Sequence, residues 1–165
     1  MKVRAARPDD AAPFASVVAR VAEEGLIATE PPVDLVDRAA KARSMIESDG
    51  PSRLWVLEAD DTIVGGLGLH SSYARGVLGL GMMILPEFRG RGGGRALVRA
   101  ALDHAAGSEA HKVELEVWPD NARAIALYTS VGFVVEGVRR DHYVRRDGTR
   151  RSSLLMALLL AEPHA

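Results

Sequence analysis

The stretch PEFRGRGGGRALVRAAL, Pro86 to Leu102, joins a glycine-rich turn to an amphipathic helical pattern. It holds four glycines and three arginines from Arg89 to Arg95. A glycine cluster in mid-chain is costly in conformational entropy, which indicates a backbone shape that other residues do not adopt. Free N–H groups and the helix dipole at the start of a helix favour an anion. The stretch therefore predicts a phosphate-binding loop, with a flexible solvated turn as the alternative.

Two common nucleotide-binding motifs fail at specific positions of this loop. A P-loop requires G-x-x-x-x-G-K-[ST], and no Lys-Ser or Lys-Thr follows these glycines. The dinucleotide fingerprint G-x-G-x-x-G would need its last glycine at Arg95 or Leu97. The loop also follows three consecutive predicted strands and does not open a β-α-β unit. If the loop binds a phosphate, that phosphate therefore belongs to another kind of ligand.

Composition and charge narrow the class of protein. The chain has 165 residues, 47% of them hydrophobic and 26% charged, which is typical of one soluble globular domain. The formal net charge of −1 argues against a nucleic-acid partner. There is no cysteine, which excludes disulfides and thiolate chemistry, and the five histidines show no metal-ligand spacing. We therefore expect no metal site.

No segment of the sequence predicts export or membrane insertion. The N-terminal stretch MKVRAARPDD lacks the apolar core of a signal peptide. The longest apolar run, Leu154 to Ala161, is too short to span a bilayer. We therefore expect a cytoplasmic protein with no membrane partner.

Hydrophobic periodicity predicts the element order β-α-α-β-β-β-α-β-α-β-β. The first strand is KVRAAR, followed by a helix over PDDAAPFASVVARVAEEG that stops at Gly25 and a second helix over Val33–Ser48. RLWVLEADDTIVGGLGLH predicts two strands joined at Asp60-Asp61, and GVLGLGMMILP a third. After the glycine loop and its helix, HKVELEVW alternates as a strand.

The last third of the chain predicts a helix and a closing hairpin. NARAIALYTSVGF forms a helix from about Asn121, with Gly132 where a left-handed cap would lie. FVVEGVRRDHYV and SSLLMALLL form two strands around the turn RRDGT. The whole pattern predicts one α/β domain with a mixed sheet over residues 1–165.

The glycine loop and the helix after the next strand together resemble a known family. Arg89-x-x-Gly92-x-Gly94 matches the Q/R-x-x-G-x-G/A pattern of the GNAT superfamily of acyl-CoA-dependent N-acyltransferases. NARAIALYTSVGF matches the family's N-x-x-A-x-x-L-Y-x-x-x-G-F segment, in the same order and at the same spacing. EGVRRDHYVRRDGTRRSSLLMAL resembles the closing hairpin of the N-terminal-amine and amino-acid acetyltransferase branches. The resemblance covers about Gly81 to Leu158, and the N-terminal half matches in element order only.

The resemblance implies a fold and a cofactor, acetyl-CoA. The GNAT fold is a single α/β domain whose central mixed, mostly antiparallel sheet has about six or seven strands, splayed between the fourth and fifth and flanked by about four helices. The pantetheine arm of coenzyme A would lie in the gap. Met83, Ile84 and Leu85 would offer it backbone groups, and they also suit a buried strand. The binding groups are main-chain, so both interpretations hold.

The remaining cofactor contacts come from the loop and the following helix. Backbone N–H groups of the glycines would hold the pyrophosphate, with arginines as countercharge. Asn121 resembles the family's cofactor-contacting asparagine and is also a candidate helix N-cap. The cofactor residues implied are Met83, Ile84, Leu85, Arg89, Gly90, Arg91, Gly92, Gly93, Gly94, Arg95, Asn121 and Tyr128.

Two residues carry the chemistry that the resemblance implies. Tyr128 resembles the family's general acid, since a phenol of pKa about 10 suits a thiolate leaving group; the alternative is a packed helix tyrosine beside Leu127. Glu116, twelve residues earlier as in the N-terminal-amine branch, is the candidate base. A solvated edge carboxylate, Glu114 on the same face, or a water remain alternatives to it. A backbone N–H near Ile84 would hold the oxyanion.

The segments expected to bind the acceptor amine carry a less specific signal than the cofactor motifs. EEGLIATEPP resembles the corresponding loop of small-molecule acyltransferases, where Glu30 would pair with an ammonium unless it is solvated. Six arginines against two aspartates from Arg139 to Arg151 would attract an acceptor carboxylate, the cofactor 3′-phosphate, or nothing in particular. Ser152 stands where branch members often have an aspartate.

Three functions follow from this resemblance. The leading one is transfer of an acetyl group from acetyl-CoA to a primary amine of a small molecule, an amino acid or related amine. Direct attack in a ternary complex is expected because no cysteine is available. The alternatives are a protein N-terminal or lysine acetyltransferase and a non-catalytic acyl-CoA-binding regulatory domain. Dimerisation is common in the family, so a homodimer is a further expectation.

Overall fold

The structure is a computed structural model that describes residues 1–160, and its elements follow the order expected from the sequence. The seven strands are β1 (Lys2–Ala5), β2 (Arg53–Ala59), β3 (Thr62–Ser71), β4 (Val77–Ile84), β5 (Lys112–Val117), β6 (Val134–Val144) and β7 (Arg150–Leu159). The four α-helices are α1 (Ala11–Ala22), α2 (Leu35–Ile46), α3 (Gly93–Ala106) and α4 (Ala122–Ser130). Residues 161–165, at the end of the predicted domain and of the apolar run, lie outside the described residues.

The strands form one mixed sheet in the order β1-β2-β3-β4-β5-β7-β6. Every neighbouring pair is antiparallel except β4 and β5, which run parallel. These two strands pair only where Val77–Gly79 meets Lys112–Glu114. Beyond that point β4 stays paired with β3, and β5 stays paired with β7. The predicted splay between the fourth and fifth strands is therefore confirmed.

The β2–β3 hairpin confirms the turn predicted from Asp60-Asp61. Both aspartates have positive φ, 47° and 59°. A two-residue turn of this hand matches the right-handed twist of the flanking strands. The turn sets the register that pairs Ala59 with Thr62, and an irregularity between Leu57 and Glu58 then shifts it so that Leu57 pairs with Gly65.

Helices cover both faces of the sheet, and close contacts with glycines show which helix lies on which face. A Cβ on Gly66 would lie 2.7 Å from the Phe14 ring of α1. A Cβ on Gly93, in α3, would lie 2.6 Å from Leu57, which faces the other side of the sheet because strand residues alternate. α1 and α3 thus sandwich the sheet, and the gap between β4 and β5 opens between them.

The interior is a continuous apolar core around these strands. Large, fully buried side chains come from the sheet, from α3 and from the segment after α4, including Leu57, Leu67, Leu97, Val113 and Phe133. Within residues 1–160, no helix is both long enough and apolar enough to cross a membrane.

Candidate active site

A cleft of about 920 Å³ lies where β4 and β5 diverge. That volume is within the range of pockets that hold small molecules and cofactors. The walls come from the loop after α1 (26–29), the end of β4 (80–84), the glycine loop, the end of β5 (116–118) and the first turns of α4. The cleft therefore joins the predicted cofactor loop to the predicted catalytic residues.

Gly90 and Gly92 line the cleft and are glycine for conformational reasons. Their φ angles are +74° and +84°, and a Cβ on either would meet no atom within 4 Å. L-residues pay about 1–2 kcal/mol in this region. Gly92 is the N-cap of α3, so the left-handed turn places the free N–H groups of the helix at the cleft.

Gly93 and Gly94 are glycine because neighbours approach closely. Gly93 is buried against Leu57 and does not line the cleft, which differs from the cofactor contact expected for it. Gly94 lines the cleft, and a Cβ there would lie 3.0 Å from Leu127 Cδ2. The pair lets α3 approach β2 on one side and α4 on the other.

Arg89 is tied into the fold, although the sequence suggested a free countercharge. Its Nε donates to the Ile84 carbonyl at 2.8 Å, and its terminal nitrogens donate to both oxygens of Glu24 at 2.7 and 2.5 Å. Only 17% of the Arg89 side chain is exposed. The guanidinium thus fastens the glycine loop to β4 and to the residues after α1.

The other loop arginines differ in how they reach the cleft. Arg95 lines it and donates to Ser130 Oγ at 2.8 Å. Arg91 is exposed and lies over the Phe88 ring at 5.7 Å, outside the cleft lining. Arg123, which the sequence did not single out, lines the cleft from the first turn of α4. Arg89, Arg95 and Arg123 therefore line the cleft beside the glycine loop and α4, and of these Arg89 is already paired with Glu24.

The backbone groups that β4 offers to the cleft differ in part from the expected ones. Leu85 N–H donates to the Val64 carbonyl at 2.9 Å, and Met83 pairs with Gly66. Because hydrogen-bonded pairs alternate along an antiparallel ladder, Met83 and Leu85 both bond toward β3. Met82 and Ile84 turn their N–H groups toward the gap. The N–H of Ile84 therefore faces the gap as expected, whereas the N–H groups of Met83 and Leu85 face β3. Met82 offers the second N–H group that faces the gap.

Asn121 and Tyr128 enter the cleft from opposite ends of α4. Asn121 Oδ1 accepts from Ala124 N–H at 3.2 Å, which makes it the N-cap of the helix, and it also lines the cleft. Tyr128 lines the cleft while it packs on Phe133, with ring centroids 5.7 Å apart. Burial raises the pKa of Tyr128 well above its ordinary value. The phenol therefore holds its proton at neutral pH, as a proton donor must.

Glu116 lies in the cleft with both carboxylate oxygens engaged. Oε1 accepts from Arg139 at 2.8 Å, and Oε2 accepts from Tyr143 Oη at 3.0 Å and Ser153 Oγ at 2.6 Å. Burial, and then the hydrogen bond to Glu116, raises the pKa of Tyr143 to about 12, so the phenol remains a donor. Each carboxylate oxygen has two lone pairs, which leaves one on Oε1 for a proton or a water.

The alternative base, Glu114, lies at the closed end of the splay. It sits in the short paired segment opposite Gly79, and its Oε1 accepts from Ser72 Oγ at 2.8 Å. Glu114 is not among the residues that line the cleft. Of the two glutamates on this face of β5, the structure brings only Glu116 to Tyr128.

Glu30 does not reach the cleft, in contrast to the expected contact with an acceptor ammonium. Its Oε2 accepts from Arg146 N–H at 3.0 Å and lies 3.5 Å from Arg145 Nε. These contacts join the loop before α2 to the β6–β7 turn. Glu30 therefore fastens two segments that flank the acceptor end, and its charge is already compensated.

The arginines of the closing hairpin are also largely compensated. Arg139 pairs with Glu116, Arg145 with Glu30 and Arg151 with Asp120, which reduces the positive patch expected from the sequence. Ser152 Oγ accepts from the N–H of Asp141, a residue with φ +50° at an irregularity of β6.

An aromatic pair forms the wall of the cleft beyond Glu116. Trp118 and Tyr143 meet edge to face at 4.9 Å, and the Arg151 guanidinium lies 4.8 Å from the centre of the Trp118 ring. Trp118 Nε1 is buried and finds no hydrogen-bond partner among residues 1–160. The sequence did not predict this wall, because Tyr143 and Trp118 meet only through the strand pairing β5–β7–β6.

In the part of the chain that the structure describes, no group of three or more His, Cys, Asp or Glu is placed to hold a metal ion. The cleft instead joins anion-binding N–H groups, a protonated phenol and a carboxylate. This set can hold a phosphate ester at one end and exchange protons with a reacting group at the other.

Known proteins share parts of this sequence. The chain is 52% identical over 58 residues to the N-alpha-acetyltransferase RimI of Mycobacterium tuberculosis, 35% of each protein. It is 40% identical over 73 residues to the ribosomal protein bS18-alanine N-acetyltransferase of Escherichia coli, covering 44% of this chain and 49% of that protein. The chain thus spans about a third to a half of the length of these curated relatives. A longer match, 31% identity over 111 residues, is to the spermidine N(1)-acetyltransferase of Vibrio cholerae, 66% of this chain and 64% of that protein.

Solved structures share the whole fold at lower identity. The ribosomal-protein-alanine N-acetyltransferase of Brucella melitensis superposes with a TM-score of 0.86 at 23% identity, covering 97% of this chain and all of that one. The phosphinothricin acetyltransferase of Sinorhizobium meliloti, solved in complex with acetyl-CoA, superposes with a TM-score of 0.84 at 18% identity, covering 98% and 89%. Residues 22–133, more than half of the chain, match the family described as acetyltransferase (GNAT). With this match and the splayed sheet, the chain belongs to the acetyltransferase (GNAT) family.

Proposed function

We propose that this protein transfers the acetyl group of acetyl-CoA to a primary amine by direct attack in a ternary complex. The observation that carries this proposal is the single cleft that joins the glycine loop to Tyr128 and Glu116. Membership of the GNAT family supports it, as do the activities named for the Mycobacterium, Escherichia and Vibrio relatives. The neighbour from Sinorhizobium, solved with acetyl-CoA, supports the choice of co-substrate.

The cofactor end of the cleft suits coenzyme A in charge and shape. The N–H groups at the start of α3 would bind the pyrophosphate, and Arg95 and Arg123 would offset its charge. The pantetheine arm would continue the sheet beside β4, on the N–H groups of Met82 and Ile84. Arg89 would act indirectly by holding the loop in place.

The transfer step uses the residues around the splay. The amine nitrogen attacks the thioester carbonyl carbon, a backbone N–H near Ile84 that the pantetheine arm leaves free stabilises the oxyanion, and the C–S bond breaks. Tyr128 donates its proton to the departing sulfur. The acceptor ammonium loses two protons: one passes through Glu116, directly or by a water, to solvent, and the other restores Tyr128. The product is an amide and a free thiol.

A small-molecule amine is the leading acceptor. The loop at 26–29 and the Trp118–Tyr143 pair bound the cleft beyond Glu116 and leave room for a compact molecule. A protein N-terminal amine is the second candidate, favoured by the local identity to N-alpha and ribosomal-protein acetyltransferases. A non-catalytic acyl-CoA-binding domain is disfavoured, because such a domain needs the glycine loop but no proton donor at Tyr128.

Thiol release from acetyl-CoA tests the proposal. The acceptor panel would contain free amino acids, polyamines, aminoglycosides and short peptides. We expect release with at least one class of small amine. Activity on peptides alone would replace the leading acceptor with the second. Binding of acetyl-CoA without release on any amine would contradict the catalytic role.

A further inference from the structure

Arg38 is a cation of the cleft that neither the sequence motifs nor the family match explains. It lies in the first turns of α2, half-buried, and its terminal nitrogen donates to Thr29 Oγ1 at 2.8 Å. Both residues line the cleft. Within residues 1–160, no carboxylate lies within ion-pair distance of Arg38. Its guanidinium therefore keeps donors for an anion that enters the cleft.

Arg38 lies on the acceptor side of the cleft. The loop that carries Thr29 is held by the closing hairpin, since Arg145 donates to the Ala28 carbonyl at 3.1 Å and Arg151 to the Gly25 carbonyl at 2.8 Å. The same arginines lie over Trp118. Arg95 and Arg123, at the starts of α3 and α4, are the cations placed for the cofactor phosphates. Arg38 is thus left for the other substrate.

The acids of the cleft are already paired. Among the described residues, Glu116 and Asp120 are the two acidic residues in the lining, and each forms an ion pair with an arginine, at 2.8 and 2.6 Å. A second ammonium on the acceptor would find no uncompensated carboxylate there. A carboxylate on the acceptor would meet Arg38, so the charge at this end favours a zwitterion over a polycation.

We propose that Arg38 and Thr29 bind a carboxylate of the acceptor, so that the acceptor is an amine that also carries a carboxylate. This assignment rests on the proposed acetyl transfer. The Arg38 fork presents parallel N–H groups to the two carboxylate oxygens, and the Thr29 hydroxyl accepts from Arg38 while it offers its own O–H to the same anion. The amine of that molecule then points toward Glu116 and the splay.

Matched acceptor pairs test the carboxylate directly. Each free amino acid is compared with its own amide, and glycine, β-alanine and 4-aminobutanoate vary the distance between amine and carboxylate. We expect kcat/KM for the preferred acid to exceed that of its amide by about 10- to 100-fold, the value of a hydrogen-bonded ion pair. Equal rates on acid and amide would overturn the proposal.

Variants then assign the effect to Arg38. Arg38→Met should reduce kcat/KM about 10- to 100-fold for the acid, mainly through KM, and leave the amide unchanged. Arg38→Lys should retain part of the preference. Arg43→Met is the matched control, because Arg43 lies on the same helix, pairs with Glu47 on the surface and does not line the cleft. An equal loss on acid and amide in Arg38→Met would also overturn the proposal.

The outcomes separate this proposal from acetyl transfer itself. Turnover confined to polyamines, amides or peptides would keep the transferase and overturn the carboxylate site. Absence of turnover on every amine would overturn both. If Arg38→Met does not fold, the comparison of acid with amide in the unaltered protein decides alone. Retention of the acetyl-CoA-induced shift in melting temperature shows that a variant is folded.

Discussion

Tyr128 and Glu116, the acid and the base that we propose, lie in two different environments. Tyr128 is buried in α4 against Phe133 and stays protonated, whereas Glu116 is a carboxylate at the end of β5 that accepts from three donors. Tyr128 is thus placed to give a proton, and Glu116 offers the carboxylate that we propose as the acceptor of one. That separation is what thioester aminolysis requires of an acid and a base.

Tyr128→Phe should lower kcat by about 100-fold or more, since general acid catalysis contributes that much. Affinity for acetyl-CoA should change little, because the ring and its packing remain. Because the pKa of Tyr128 is raised, the phenol stays protonated to a higher pH than an exposed tyrosine. Activity should therefore not fall on the alkaline side below about pH 10. A pH–rate profile checks this. Unchanged kcat in Tyr128→Phe would contradict the assignment, and an alkaline fall below pH 10 that disappears in this variant would contradict the raised pKa.

Glu116→Gln should reduce kcat by about 100-fold and flatten the rise of rate with pH, because the amide accepts no proton. Glu114→Gln is the matched control on the same face of β5, outside the cleft. Single-turnover rates at several pH values measure both. An intact profile in Glu116→Gln, with loss in Glu114→Gln, would move the base to the closed end of the splay.

Ser153 and Tyr143 show why part of the site escaped sequence analysis. Glu116 is visible from the alternation of VELEV, but its donors lie 27 and 37 residues further along the chain. They meet it only through the β5–β7 and β6–β7 registers. Arg38 was missed for the same reason. The periodic pattern of its segment predicts the helix α2, but it does not predict which part of the molecule the helix faces. A periodic pattern in the sequence shows which side chains share one face of a helix or strand. The strand register, which the sequence does not show, determines which residues of other strands lie beside them.

The helices and strands themselves were predictable because each has a local signal. The aspartate pair at positive φ ends β2, Gly92 opens α3 and Asn121 caps α4, and each of these signals consists of one or two residues whose chemistry suits their backbone. The ion pairs of Glu30 and Arg89 were not predictable, because a charged residue on a loop pairs with whatever the fold brings near. Those partners, Arg145, Arg146 and Glu24, depend on tertiary structure.

The packing of α3 on β2 makes Gly93 a test of the loop's architecture. Gly93→Ala should destabilise the fold by about 1–2 kcal/mol, because the new methyl meets Leu57 at 2.6 Å and Leu57 is fully buried. Adding Leu57→Val removes the clashing methyl, so the double variant should cost less than the sum of the two. Denaturant unfolding measures all three, with Gly50→Ala as a control at an open position. Additive costs would contradict the close approach.

The tie between Arg89 and Glu24 makes a prediction about how the loop binds phosphate. If Arg89 acts by fixing the loop, Glu24→Gln should weaken the binding of acetyl-CoA, and Arg89→Met should weaken it further because it also removes the hydrogen bond to the Ile84 carbonyl. Isothermal titration calorimetry measures both dissociation constants. A loss confined to Arg89→Met, with Glu24→Gln unchanged or tighter, would show that Arg89 contacts the phosphates itself.

The rest of the sheet and the helices that cover it keep β4 and β5 apart beyond their short paired segment. β3 and β7 each keep one partner of the splayed pair, while α1 and α3 cover opposite faces. Each strand of the pair thus keeps its other neighbour, and the gap between them opens beyond their short paired segment. In the arrangement that we propose, Arg95 and Arg123 serve the phosphate end of the cleft and Arg38 serves the acceptor end.

Thermal unfolding with and without acetyl-CoA tests the central claim, that this cleft is an acetyl-CoA site, without knowledge of the acceptor. A ligand at about 100 times its dissociation constant stabilises the native state by about 2.7 kcal/mol. For a domain of this size that corresponds to a rise in Tm of about 5–10 °C. We expect this rise in the unaltered protein and in Tyr128→Phe. An unchanged Tm at saturating acetyl-CoA would contradict the account.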